Sequence, residues 1–410
     1  MRWRASRLLS APHRLGFFAA ALVFALSALW WAVVLSTRAA GIALPWVVAP
    51  PIAHGLLMSA GFMPLFIIGF LFTAGPRWLG QPPVQARSLL APVLLMLSGW
   101  PIALAGFHWV AGLAALGVAF VAAGWSAIAL RFVRLLRAST VPDRTHAFAV
   151  AWASSIGALA LWAIVFALAS GEYSGVRAIT QVLLWGWFAP TFATVSHRMI
   201  PFFTAAALPV LDAWRPNWLL WLQLGALAFA GAGMVAELFW WPLPAALRWV
   251  QAAVEAPVGV LLLWVSVRWG LVQSLRIRLL AMLYGGFVWL GLAMALLALS
   301  HALQALGHPG LGLAPLHALT MGYLGATLIA MTTRVAAGHS GRPLAADDLA
   351  WTLYWLLQAA ALLRLTAALW GAVEMHLLLC AIGAWLMATV GWALRYGSWL
   401  GRPRIDGRPG

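Results

Sequence analysis

Chemistry in this chain would have to come from a few polar side chains set in long apolar runs. His54 and His317 each enter such a run near its head, and each has a methionine four residues on, Met58 and Met321. Residues four apart share one helix face, so each pair offers an imidazole and a thioether to the same neighbour. Imidazole nitrogen suits iron and copper, and two neutral imidazoles from facing helices are an axial ligand set for haem iron. His301, and His376 with Glu374 two residues before it, put two more metal-ligating imidazoles at the ends of apolar runs. The plain alternative is that each histidine caps a helix or bonds a nearby carbonyl, and that the methionines are packing.

Two further strings combine histidine with arginine: Ser196-His197-Arg198-Met199-Ile200-Pro201-Phe202-Phe203-Thr204, and Arg334 followed by Gly338-His339-Ser340-Gly341-Arg342-Pro343-Leu344. Both follow apolar runs and are expected as loops on the inner side. There His197, Arg198, Arg334, His339 and Arg342 suit a propionate, a phosphate or a lipid headgroup; the alternative is an ordinary basic turn. Glu237, Glu255 and Arg364 also lie in apolar surroundings, where ionisable groups are costly and by default mark function. The two glutamates are read as a possible proton relay, and Arg364 as neutralising one of them or reaching outward. No phosphate loop, zinc-helix, nucleophile-elbow or dinucleotide string has the right flanks. The single cysteine, Cys380, excludes disulfides and cysteine-ligated clusters.

These residues are positioned by elements that composition identifies. The chain of 410 residues is 64% hydrophobic and 8% charged, with mean hydropathy +0.92. A soluble fold has too little interior for that much apolar surface, so the solvent is lipid. About 20 apolar residues cross the ~30 Å hydrocarbon layer, and the bare backbone must then be helical. Continuous rather than alternating apolar runs exclude a β-barrel. The fold class is therefore an all-α polytopic membrane protein. Pro, Gly and Arg separate twelve spans, at 16–36, 50–73, 88–106, 109–130, 146–169, 178–196, 217–238, 244–267, 278–302, 312–333, 349–370 and 374–394. All 25 basic residues are Arg. With both termini inside, 21 fall in inner segments, three (Arg38, Arg177, Arg248) in outer ones, and Arg364 within a span, as the positive-inside rule requires. The net charge of +16 thus reads as topology and headgroup contact, not as nucleic-acid binding.

The second and tenth spans then run from outside to inside. At ~1.5 Å per residue, His54 and His317 both lie roughly 6–8 Å below the outer boundary, which makes them a depth-matched pair. Residues 1–396 are expected as one twelve-helix transmembrane domain and 397–410 as a basic cytoplasmic tail. The first span is expected to be a retained helix rather than a cleaved signal. The 27 Trp, clustered at span ends, read mainly as an aromatic belt.

The strings His317-Ala318-Leu319-Thr320-Met321-Gly322, Met331-Thr332-Thr333-Arg334-Val335, Gly338-His339-Ser340-Gly341-Arg342-Pro343-Leu344, Arg198-Met199-Ile200-Pro201-Phe202-Phe203-Thr204-Ala205 and Gly69-Phe70-Leu71-Phe72-Thr73-Ala74 resemble the NnrS family. These are bacterial membrane proteins tied to nitric oxide and nitrosative stress and described as containing haem and copper. Where that family typically shows His-x-His-Glu-Met, this chain has His54-Gly55-Leu56-Leu57-Met58. If the missing histidine and glutamate serve copper or protons, that part of the chemistry is lost here. Twelve helices with histidines on the second and tenth are also similar to the catalytic subunit of haem–copper oxidases. The copper-site histidines of that subunit have no counterpart in the sixth and seventh spans.

The resemblance implies a haem protein of the bacterial inner membrane, with His54 and His317 as axial ligands. It would bind nitric oxide or another small diatomic, or pass electrons from a membrane donor. Two alternatives stay open: a small-solute permease with Glu255 and Arg364 on its pathway, and a structural or sensory member without cofactor.

Overall fold

The computed structural model describes residues 2–407, and among them every regular element is helical. Twelve helices are long and apolar enough to cross a membrane: α1 (Pro12–Ala39), α2 (Pro50–Trp78), α3 (Ala86–His108), α4 (Ala111–Ala138), α5 (Thr145–Ala169), α6 (Tyr173–Ala207), α7 (Asn217–Phe239), α8 (Ala245–Arg268), α9 (Arg278–Ala305), α10 (Ala314–His339), α11 (Asp348–Leu369) and α12 (Gly371–Leu400). The protein is a polytopic helical membrane protein, and each helix coincides with one of the twelve apolar runs.

Several helices outrun their apolar stretches. α6 continues to Ala207 and α10 to His339. His197, Arg198, Arg334 and His339 are therefore helical residues, not the loop residues expected. Long basic side chains lay their stems along apolar surface and carry the charge outward, so the backbone need not leave the helix to solvate them. The segment from 397, expected as a tail, begins inside α12. Its continuation is tied down: Gly401 accepts from the Arg4 amide at 2.9 Å and Ile405 donates to the Ser340 carbonyl at 3.1 Å. Arg408, Pro409 and Gly410, the end of that segment, lie outside the described residues.

The chain forms two compact units. The first comprises Met1–Phe188, Val335–Pro343 and Thr389–Gly410, and the second Ala189–Arg334 and Leu344–Ala388. The boundaries cut through α6, α10 and α12. Within the first unit, α3 and α4 form a close hairpin in which a Cβ on Gly117 would run into the Ala103 backbone. Small residues let membrane helices approach this closely, and packing rather than the hydrophobic effect drives their association. Within the second unit, α8 packs along α9.

α2, α6 and α10, every fourth span, each contain a π-helical segment: Leu57–Gly61, Leu183–Phe188 and Ala318–Gly325. Proline follows closely in the first two, at Pro64 and Pro190. It has no N–H and its ring crowds the carbonyl four residues back, a conflict that a widened turn relieves. The tenth span has no such proline; its segment holds Gly322 and Gly325, both pressed by indoles. Widened turns of this kind concentrate at functional sites.

Candidate functional site

In the first unit, His54 sits in the α-helical opening of α2, three residues before the π segment that contains Met58. Its ring stacks on the indole of Trp31 from α1, with centroids 4.0 Å apart and planes 25° from parallel. Gly55 faces α6, where the Thr180 methyl stands 3.5 Å from the place a Cβ would occupy. The imidazole is thus clamped on one face by a flat partner. Trp31, which reads from sequence as part of the interfacial belt, is the residue that orients it.

In the second unit, Pro315 opens α10, His317 ends its first α-helical turn, and the π segment with Met321 begins at the next residue. His317 Nδ1 lies 3.0 Å from the Leu313 carbonyl. That bond makes Nδ1 the protonated nitrogen and reserves the Nε2 lone pair, the usual way a metal-ligating histidine is held. Arg364 of α11 is close enough to act on His317 electrostatically, and its buried Nη1 has no hydrogen-bond partner. A buried, unsatisfied guanidinium nitrogen is costly and suits a carboxylate brought by a ligand. The wall beside this segment is aromatic. A Cβ on Gly322 would stand 2.5 Å from the Trp289 indole and one on Gly325 3.0 Å from Trp385, while Trp289 Nε1 donates to Gln358 Oε1 at 2.7 Å. Tyr323, fully buried, meets Ser196 at 3.2 Å.

Arg248 is buried and donates to Glu237, so it is engaged within the protein, and Arg38 is exposed at the end of α1. His301 is buried with one carboxylate on each ring nitrogen, Glu255 at 2.7 Å and Glu237 at 3.2 Å. This arrangement leaves neither nitrogen for a metal. His376 is exposed in the first turns of α12.

At the inner ends of the helices, His197 is buried with Nε2 3.2 Å from the Pro216 carbonyl and its ring edge-on to Trp269. Arg198, half-buried, follows it in α6. The Arg334 guanidinium lies over Phe203, 4.1 Å from the ring centroid. In the first unit, His339 faces the buried His13, ring centroids 4.3 Å apart, and Arg342 lies over Trp399 at 4.1 Å. Burial, with Arg402 and Arg395 near, holds Arg342 below the usual arginine range. His13 escapes a reading of intramembrane histidines because it stands at the head of α1; its signal is the Pro12-His13-Arg14 string. Arg364 stands out in the sequence as a membrane arginine, but its closeness to His317 does not. Among the described residues no three His, Cys, Asp or Glu side chains gather as a metal site.

The NnrS protein family model matches residues 7–404, nearly the whole chain, and the chain belongs to the NnrS family. No curated protein matches it in sequence.

Proposed function

We propose that this membrane protein binds haem, whose iron His317 and His54 would hold through their imidazoles, and acts in the nitric oxide response of the bacterial inner membrane. The observation that carries the reading is the setting of His317. Its Nδ1 is committed to the Leu313 carbonyl, and beside it Arg364 keeps a buried nitrogen without a partner. An imidazole with Nε2 reserved and an arginine nitrogen without a hydrogen-bond partner suit a haem edge: one would hold the iron and the other a propionate. His54 supports it as the second ligand through its matched depth and its stacking on Trp31. Bound haem supplies an iron that takes electrons and small diatomic ligands. The protein's own part would be to fix the imidazoles and hold the propionate. Copper, which the family description adds, has less support here, since Leu56 and Leu57 carry no ligand atoms.

The test is the visible spectrum of protein purified from membranes. A Soret band is expected in the wild type, lost or shifted to a mono-histidine form in His317→Leu and again in His54→Leu. A wild type without the band, or a band unchanged in both variants, overturns the assignment. Adding nitric oxide to the reduced protein should move the band if the haem takes the diatomic.

A further inference from the structure

Glu237, Arg248, Gln251, Glu255 and His301 form a polar cluster where α7, α8 and α9 approach the arginine-poor face, entirely within the second unit. Glu237 lies two residues before the end of α7 at Phe239, and His301 four before the end of α9 at Ala305. Glu255 lies ten residues into α8 from Ala245, about 15 Å along the helix axis. The three are arranged in order of depth. His301 is 3% exposed, yet each ring nitrogen meets a carboxylate oxygen: Nε2 meets Glu237 Oε1 at 3.2 Å and Nδ1 meets Glu255 Oε2 at 2.7 Å. Access falls along the same line, from 16% for the Glu237 side chain to none for Glu255.

Arg248, itself buried, donates to Glu237 and reaches Gln251 Oε1 at 3.4 Å. The charged groups acting on this cluster are Glu237 from α7, Arg248 and Glu255 from α8, and His301 from α9. Glu255 Oε1 is buried and accepts no hydrogen bond. An ion pair kept only for stability gains nothing from an idle carboxylate oxygen at zero exposure, where an unsatisfied acceptor is expensive. Two residues on, Pro257 lacks the N–H that would have bonded the Ala253 carbonyl.

We propose that Glu237, His301 and Glu255 form a proton-transfer site through which a proton enters the membrane interior from the arginine-poor face. Water delivers the proton to Glu237. The Glu237 O–H bond breaks as an N–H bond forms at His301 Nε2; the Nδ1–H bond then breaks as an O–H bond forms at Glu255 Oε2. One proton has moved inward and no electron has changed hands. The ring is left as its Nε2–H tautomer, and the Nε2–H bond must break and the Nδ1–H bond form again before a second proton passes. Arg248 is a positioning residue that holds Glu237 against the imidazole, and the idle side of Glu255 is where the proton is passed on. Nothing in this site depends on haem.

The experiment is infrared difference spectroscopy of wild-type protein in vesicles sorted for one orientation, with the pH stepped on one face at a time. The expected result is a carboxylic-acid C=O band that follows the pH of the arginine-poor face, is absent in Glu255→Gln, and responds at least tenfold more slowly in Glu237→Gln and His301→Gln. The Glu→Gln changes keep the side-chain shape, and none of the three amides can carry the proton. A wild type with no titrating carboxylic-acid band, a band that survives Glu255→Gln, or one that follows only the arginine-rich face would each overturn the proposal. The wild-type measurement decides by itself if a variant fails to fold.

Discussion

His317 turns its Nδ1 back onto the Leu313 carbonyl, one helical turn earlier and 3.0 Å away. That bond sets the ring's tautomer and leaves the Nε2 lone pair unprotonated, and Arg364, close enough to act on the ring, keeps a buried nitrogen unsatisfied. If that nitrogen meets a propionate, removing it costs one charge-assisted bond. Arg364→Gln should weaken haem binding about tenfold, ~1.4 kcal/mol, while Arg364→Lys keeps part of the affinity by supplying a charge without the planar fork. Haem titration of apoprotein in detergent measures both. Equal affinity in all three proteins would remove Arg364 from the site without touching the histidines.

The widened turn after His317 depends on an indole standing where a side chain would be. A Cβ on Gly322 would lie 2.5 Å from Trp289, and Trp289 is anchored through Gln358, so it cannot swing aside cheaply. Gly322→Ala should destabilise the protein by ~1–3 kcal/mol, the range of overpacked cores. Gly383 in α12 has nothing within 4 Å of its would-be Cβ, so Gly383→Ala should be neutral or stabilising by up to ~1 kcal/mol. Thermal melts in detergent micelles compare the two.

The transmembrane architecture is legible because lipid makes one demand on every span: length and apolarity suffice to find α1 to α12. Helix ends are less legible, since hydropathy falls at Arg198 and Arg334 although the hydrogen-bonded backbone continues through both. The π segments leave no hydropathy trace at all; Pro64 and Pro190 hint at two of them, and the Trp289–Gly322 contact that accompanies the third joins residues 33 positions apart in the numbering. The site residues show the same limit. His54, His317, His301 and Arg364 stand out as polar groups in apolar runs, but which of them meets a carboxylate, an indole or nothing is decided by neighbours on other helices. Glu237 and Glu255, isolated in sequence, become one system only through His301.

One helix start is fixed by a side chain rather than by lipid. Asp347 stands just before α11 and its carboxylate accepts from the Ala350 amide at 3.0 Å. The first turn of a helix has amides with no partner of its own, so losing this cap in Asp347→Ala should cost ~1 kcal/mol. Asp347→Asn or Asp347→Ser should recover most of it. Hydrogen exchange at the Ala350 amide reads the effect locally, with faster exchange expected in the alanine variant and near-normal exchange in the other two.

Two arginine–carboxylate pairs in the second unit should respond to the same change by very different amounts. Arg278 reaches Asp348 at 2.7 Å with both side chains well exposed, 42% and 92%. Water and salt screen such a pair, so Arg278→Gln should cost between nothing and ~1 kcal/mol. Arg248, 2% exposed, donates to Glu237 inside a cluster that also holds Glu255 and His301. Removing it strands a carboxylate beside another in a medium that cannot solvate them, a loss of ~3–5 kcal/mol for a buried pair. Arg248→Gln should therefore lower the melting temperature far more than Arg278→Gln, and added salt should leave the Arg248 effect nearly unchanged while shrinking the small one at Arg278. A double variant, Arg248→Gln with Glu237→Gln, should regain part of the stability, because the charge left unpaired by the first change is gone. Without that recovery, Arg248 would be acting through its packing against Trp241, over whose ring its guanidinium lies at 5.3 Å, rather than through Glu237.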